Sequence, residues 1–214
     1  MPTLSEQLSA TKTGAAGHLP ADVAATFTAQ QAALATATAP SIAAGAEVLD
    51  AALLRATGAP TTLAEVLAGS AAVLVFYRGG WCPYCNLTLR SYQAELLPQL
   101  DGLGVKLVAI SPQRPDGSLS TQEKAQLAFD VLSDTRNALA GALGIVDDGS
   151  DEVRAAQAEL GLDLVKVNED GDVRLPMPAV IVVNADRRVR WADVHPDYTT
   201  RTEPAAIVGA VKSL

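Results

Sequence analysis

Short runs of consecutive apolar residues recur along most of this chain. The strongest occupy residues 71–77, 105–110 and 179–183. Continuous apolar runs of this length are typical of strands that are covered on both faces, as in a parallel sheet. Further short strands are predicted at residues 131–133 and 189–194, and residues 46–54 predict a short strand or hairpin.

Segments with helical periodicity separate these runs. Residues 83–97 form the clearest one, with Leu87, Tyr92 and Leu96 on its apolar face, and Pro98 is expected to stop it. Other helices are predicted at residues 21–37, 61–67, 119–128, 137–143, 152–160 and 204–212. Strands that alternate with helices predict an α/β domain.

The first 45 residues differ in composition from the rest of the chain. They are rich in Ala, Thr and Gln, and Pro40 follows their helix-like run. We therefore divide the chain into an N-terminal helical arm over residues 1–45 and a domain over residues 46–214. A partly disordered tail is the alternative for the arm, because it has few large apolar side chains to bury.

Composition and charge limit the cellular compartment and the kinds of partner that we expect. The net charge of −8 argues against nucleic acid or an anionic membrane as a partner, since both would repel this surface. No stretch approaches the ~20 apolar residues that span a bilayer. The first residues lack the basic and apolar regions of a signal peptide. We expect a cytoplasmic protein in a reducing compartment, and a homodimer is compatible with the sequence.

The two cysteines of the chain, Cys82 and Cys85, lie three residues apart. A single pair of this kind cannot be the disulfide framework of a small secreted fold. A structural zinc ion needs about four ligands, and His18 and His195 are isolated from the pair and from each other. We expect redox chemistry, with no metal and no cofactor.

The cysteine pair follows a predicted strand and opens a predicted helix. Unpaired N–H groups and the helix dipole favour a thiolate in the first helical turn, which points to Cys82 as the nucleophile. Cys85 lies one turn further along the same face and can form a disulfide with it. Trp81, directly before the pair, is predicted to support the site as a large cap over it. The alternative is that the cysteines are small buried apolar residues and that Trp81 merely fills the core.

Several segments together resemble the AhpC/TSA (alkyl hydroperoxide reductase and thiol-specific antioxidant) family, the peroxiredoxin-like branch of the thioredoxin superfamily. They are Phe-Tyr-Arg-Gly-Gly-Trp-Cys-Pro-Tyr-Cys at 76–85, Ile-Ser-Pro-Gln at 110–113, Leu-Ser-Asp at 132–134, Leu-Pro-Met-Pro-Ala at 175–179 and Tyr-Thr-Thr-Arg-Thr-Glu-Pro at 198–204. The resemblance implies a thioredoxin-like fold, a central mixed sheet flanked by helices, from about residue 46 onward. It also places Pro178 at the position where thioredoxins carry a cis-proline. A cis bond there would expose the Met177 backbone for pairing with a substrate chain. The alternative is an ordinary trans proline.

The sequence departs from the motifs of both typical peroxiredoxins and thioredoxins. Typical peroxiredoxins carry Pro-x-x-x-Thr-x-x-Cys, and an ungapped alignment places these three residues on Arg78, Cys82 and Cys85. That alignment makes Cys85 the peroxidatic residue, so the order of attack stays open. The catalytic arginine of typical peroxiredoxins aligns with Pro178. Arg78, and after it Arg90, could supply a substitute guanidinium, with solvated surface arginines as the alternative.

The buried Asp of thioredoxins is also missing, because Phe76 occupies its position. The leading hypothesis is reduction of hydrogen peroxide or organic hydroperoxides by the cysteine pair, with thioredoxin or glutathione as the reductant. The second is a glutaredoxin-like or thioredoxin-like thiol-disulfide oxidoreductase. The third is a binding protein whose interface is switched by the disulfide.

Overall fold

The structure is a computed structural model that describes residues 2–16 and 19–214. Its helices are α1 (Leu4–Ala16), α2 (Ala21–Ala35), α3 (Leu63–Leu67), α4 (Pro83–Ser91), α5 (Leu97–Asp101), α6 (Pro115–Ala125), α7 (Ala138–Ala142), α8 (Asp151–Glu159), α9 (Leu164–Val167) and α10 (Pro204–Val211). Its strands are β1 (Ala52–Arg55), β2 (Pro60–Thr62), β3 (Ala72–Phe76), β4 (Lys106–Ser111), β5 (Asp130–Ser133), β6 (Val146–Asp147), β7 (Leu175–Pro176), β8 (Ala179–Val183) and β9 (Val189–Val194).

A mixed sheet with the strand order β2-β1-β5-β4-β3-β8-β9 forms the centre of the molecule. β3 pairs in parallel with β4, and β4 with β5. β8 runs antiparallel to β3, and β9 to β8. β6 and β7 form a separate antiparallel pair. The predicted fold class, a central mixed sheet flanked by helices with helices at the N-terminus, is confirmed.

The central strand β3 is buried along its whole length. Successive side chains of a strand point to opposite faces, and β3 divides accordingly between two apolar clusters. Val73 and Val75 pack with residues of α4 and α10. Leu74 and Phe76 pack with residues of α3 and α7 on the other face. The cysteine pair belongs to the first cluster.

The helix after the cysteines is longer than predicted. α4 passes through a π-helical turn, Tyr92–Leu96, into α5, so Pro98 does not stop the helical run. Proline is tolerated in the first turn of a helix, where its missing N–H leaves no bond unmade. Pro98 occupies such a position in α5, which explains why the prediction was wrong at this point.

The N-terminal arm contains two helices, of which the pattern predicted α2. Although α1 has few large apolar residues, Leu4 and Leu8 are buried in the cluster that holds the cysteines. The Glu203 carboxylate accepts hydrogen bonds from the N–H groups of Leu4 and Ser5. An acceptor at a helix N-terminus satisfies otherwise unpaired donors, and this one attaches the arm to the start of α10. Across the described residues, no helix is both long and apolar enough to cross a membrane.

Candidate active site

The cysteine pair lies where β3 gives way to α4. Cys82 is the N-cap residue of α4, and Cys85 lies in its first turn. Both are free thiols, with 1% and 0% of their surface exposed. The two predicted site residues are therefore brought together inside the protein.

Two glycines shape the loop before the pair. Gly79 has a φ of +149°, a conformation that side-chain-bearing residues rarely adopt, and a Cβ there would collide with the Trp81 indole. A Cβ on Gly80 would collide with Thr121 of α6. The Gly80 N–H donates to the buried side chain of Gln113. The loop therefore has little room to move.

Gly79→Ala should test this packing. We expect a loss of about 2 kcal/mol in the free energy of unfolding, from backbone strain and from overpacking against the indole. Gly209→Ala is the matched control, because Gly209 lies within α10 with nothing within 4 Å of its added Cβ; it should gain roughly 0.5 kcal/mol or more. Urea unfolding of both variants gives the comparison, and equal stabilities would contradict the close packing at Gly79.

The two thiols are electrostatically unequal. Burial raises the pKa of Cys85, but a hydrogen bond from Cys82 and the charges of Arg201 and Arg78 more than offset this and hold that pKa well below its ordinary range. Hydrogen bonding to Cys85 raises the pKa of Cys82, and burial raises it further. The arrangement favours a Cys85 thiolate that accepts a hydrogen bond from the Cys82 thiol.

Arg201 contacts this thiolate position directly. Its Nη2 lies 3.2 Å from Cys85 Sγ, and its Nη1 donates to the carbonyl oxygens of Tyr198 and Thr200. No role for Arg201 is predicted from the sequence. The signal available was its position within the Tyr198–Pro204 segment that carried part of the family resemblance, but a segment match does not show which side chain reaches the cysteines.

Arg78, the arginine favoured from sequence, also lies at the site. Its backbone hydrogen-bonds Cys85, and its charge helps to lower the pKa of that residue. The guanidinium carbon lies 4.0 Å from the Tyr198 ring centroid and 5.0 Å from that of Trp81. Stacking on aromatic rings can hold a buried guanidinium without a carboxylate. Arg78 is 7% exposed, and within the described part of the chain its side chain has no hydrogen-bond or ion-pair partner.

Trp81 and Arg90 lie to one side of the pair. Both line a cavity of about 280 Å³ together with Gln113 and Thr121. Arg90 is exposed, and the arginines among the main causes of the cysteine pKa shifts are Arg78 and Arg201. The contacts at the cysteines therefore favour Arg78 and Arg201 over Arg90 as the source of the guanidinium suggested from sequence.

Pro178 differs from the thioredoxin-like expectation. No described residue follows a cis peptide bond, so the implied cis bond before Pro178 is absent. The Met177 N–H, expected to be available to a substrate chain, donates to the Ile145 carbonyl oxygen at 2.7 Å. The Pro178 carbonyl accepts from the His195 N–H. Pairing within the protein thus occupies the backbone that would bind an extended peptide.

Two histidines were weighed from sequence as partners of the cysteines in a zinc site. The described residues hold no group of three or more metal-ligating side chains, and His18 lies outside them. His195 is hydrogen-bonded to Asp193, Thr200 and Thr202 instead.

Comparison with known protein families shows which family the chain belongs to. The AhpC/TSA family model matches residues 44–192. The chain belongs to the AhpC/TSA family. The predicted family is thus confirmed, and with it the prediction of an oxidoreductase of the peroxiredoxin-like thiol peroxidase class.

Several solved structures have the same fold. The chain is similar to a peroxiredoxin-like protein from Aquifex aeolicus, with 14% identity, coverage of 81% of this chain and 88% of that one, and a TM-score of 0.63. Peroxidoxin BcpB from Mycobacterium tuberculosis has 18% identity, coverage of 81% and 99%, and a TM-score of 0.62. Peroxiredoxin Q from Xanthomonas campestris has 20% identity, coverage of 83% and 96%, and a TM-score of 0.59. No curated protein sequence matches this AhpC/TSA family member.

Proposed function

We propose that the Cys-Pro-Tyr-Cys pair reduces hydrogen peroxide or an organic hydroperoxide, with Cys85 as the attacking thiolate and Cys82 as the resolving thiol. The observation that carries this proposal is the contact between the Arg201 guanidinium and Cys85 Sγ, together with the lowered pKa of Cys85. The thiolate, and not the thiol, is the nucleophile. Helix position alone favoured Cys82, but Cys82 lies at the helix end without this arginine contact.

The proposed chemistry has two steps at the pair. The Cys85 thiolate attacks one peroxide oxygen and the O–O bond breaks; the departing alkoxide or hydroxide takes a proton, leaving a Cys85 sulfenic acid and an alcohol or water. The Cys82 sulfur then attacks Cys85 Sγ, and water leaves as the disulfide forms. Since the chain has two cysteines, an external dithiol or two thiols must reduce this disulfide.

The arginine that we propose to stabilise the reacting charges lies at a different position in the chain from that of typical peroxiredoxins. Typical peroxiredoxins have their arginine at the position of Pro178, just before β8. Here we assign that role to Arg201, in the loop after β9, with Arg78 as a second cation. Guanidinium groups aimed at the reacting atoms stabilise both the thiolate and the charge that develops on the departing oxygen.

Peroxide consumption tests the proposal. Wild-type protein should oxidise NADPH on addition of peroxide, thioredoxin and thioredoxin reductase, or of glutathione with its reductase. The comparison of these two systems identifies the reductant, which we propose to be one of them. No turnover above background with either system, and no sulfenic acid after peroxide treatment, would falsify the proposal.

The pH dependence of the reaction should report the lowered pKa of Cys85. An ordinary thiol, with a pKa of about 8.5, loses most of its thiolate as the pH falls to about 7. A group with a lowered pKa keeps its thiolate through that range and loses it only when the pH falls below its own pKa. We expect the second-order rate constant with peroxide to stay level between about pH 8.5 and 7 and to decline at lower pH. Stopped-flow measurement of the first oxidation step checks this, and a tenfold or larger fall above pH 7 would contradict it.

A thiol-disulfide oxidoreductase is the second candidate function, which the Cys-x-x-Cys spacing favours. The closed backbone at Met177 and the burial of both sulfurs argue against a protein disulfide as the oxidising substrate. Insulin reduction should therefore stay at background under conditions in which peroxide is consumed. A cytoplasmic location and a homodimer stay predictions.

A further inference from the structure

His195 forms a compact hydrogen-bond network at the end of β9. Its Nδ1 lies 2.8 Å from the Thr200 hydroxyl. Its Nε2 lies 3.1 Å from Asp193 Oδ2 and 3.2 Å from the Thr202 hydroxyl, and that hydroxyl donates to the same carboxylate oxygen at 2.8 Å. The imidazole side chain is 17% exposed. The His195 ring therefore links β9, at Asp193, to two points of the following loop, Thr200 and Thr202.

These two points lie on either side of Arg201. The Arg201 side chain folds back on its own loop, where Nη1 donates to two carbonyl oxygens, and this leaves Nη2 directed at Cys85. The position of the guanidinium therefore depends on the backbone of residues 198–202. The Tyr92 hydroxyl secures the same loop from the helical side by donating to the Thr202 carbonyl oxygen at 2.7 Å.

The hydrogen-bonding groups around the His195 ring explain why an imidazole suits this position. The Thr200 hydroxyl also donates to the Asp197 carbonyl oxygen, and a carbonyl oxygen can only accept. An ionised carboxylate likewise only accepts, and the imidazole pairs with Asp193 through one ring nitrogen and with the Thr200 hydroxyl through the other. The single amide group of Asn or Gln can bond one of these two sides but not both in this geometry.

We propose that His195 is a positioning residue that holds the Arg201 guanidinium against Cys85 by fixing Thr200 and Thr202. It touches neither sulfur and acts through the loop. This inference rests on the proposed role of Arg201 at the Cys85 thiolate. The groups that act on Cys85 itself are Cys82, Arg78 and Arg201, and of these the His195 network holds Arg201.

The test is the titration of the Cys85 thiolate, followed by absorbance at 240 nm in a Cys82→Ser background. Serine keeps a hydroxyl donor beside Cys85 and leaves one titrating thiol. Adding His195→Ala should raise the Cys85 pKa by about one unit, because the guanidinium is no longer held in contact. His195→Asn and His195→Gln should give smaller shifts, since each restores one side of the network; they also serve if the alanine variant fails to fold.

Arg187→Ala is the matched control for an unspecific loss of stability. Arg187 precedes β9 at its opposite end and bonds the Val48 carbonyl oxygen and Glu47, so its loss should lower the melting temperature without moving the Cys85 titration. An unchanged titration in folded His195 variants, or an equal shift in Arg187→Ala, overturns the proposal. The titration needs no peroxide, so a shifted pKa in a protein without peroxidase turnover would keep the positioning role and reject the proposed function.

Discussion

Cys85→Ser should abolish peroxide reduction, whereas Cys82→Ser should retain the first chemical step. The serine hydroxyl at position 85 cannot supply the thiolate that Arg201 and Arg78 stabilise. In Cys82→Ser the thiolate is still present, but no internal thiol remains to condense with the sulfenic acid. We expect one turnover per molecule, followed by accumulation of the Cys85 sulfenic acid.

Dimedone labelling followed by mass spectrometry distinguishes the two variants. The adduct should appear on Cys85 in Cys82→Ser and be absent from Cys85→Ser. The two variants are controls for each other, because both remove one buried sulfur of the same size from the same cluster. The reverse pattern, with the adduct on Cys82, would return the attacking role to the residue favoured by helix position. Equal labelling of both variants would mean that neither cysteine is committed to one role.

Arg201→Met should slow the first oxidation step by about 100-fold. This magnitude is typical for the loss of one well-placed donor to a developing negative charge. The same change should raise the pKa of Cys85, since an opposite charge in contact lowers a pKa by about 1–3 units. The rate deficit should therefore shrink, without vanishing, when the pH is raised. Stopped-flow traces of peroxide oxidation at several pH values provide both quantities.

Arg201→Lys is the informative control, because it keeps the charge and loses the planar fork. Lysine cannot donate to the two loop carbonyl oxygens and to Cys85 in the geometry that arginine uses. We expect an intermediate rate, nearer to that of the methionine variant. Arg90→Met should leave the rate almost unchanged, since Arg90 is exposed and the arginines that lower the Cys85 pKa most are Arg201 and Arg78. A rate for Arg201→Met within threefold of wild type would remove Arg201 from the mechanism.

The parts of the fold that could be predicted are those determined by residues close together in the sequence. β3 and β8 are continuous runs of apolar residues and lie where the pattern placed them. The start of α4 could be located because Pro83 suits the first helical position. The cysteine pair was recognised for the same reason, as its spacing and its place at a strand-helix junction both lie within one short segment.

What could not be predicted depends on contacts between distant parts of the chain. Arg201 and Cys85 are 116 residues apart, and no local pattern indicates that these two side chains meet. The π-helical turn Tyr92–Leu96, just before Pro98, is likewise not marked by the local pattern. α1 has little amphipathic character of its own and is ordered by Glu203, 198 or 199 positions away from its bonded N–H groups. Helices of this kind owe most of their stability to tertiary contacts.

The burial of both sulfurs imposes different demands on the two halves of the proposed catalytic cycle. A hydroperoxide needs only a narrow path to Cys85, because its reacting end is two oxygen atoms wide. A reducing thiolate must approach a disulfide sulfur in line with the S–S bond and, if it belongs to a protein, brings a whole surface with it. With 1% and 0% of the two cysteines exposed, that approach requires a transient local opening around the first turn of α4. Recycling, and not oxidation, is then the half-reaction whose rate depends on how readily this part of the fold opens.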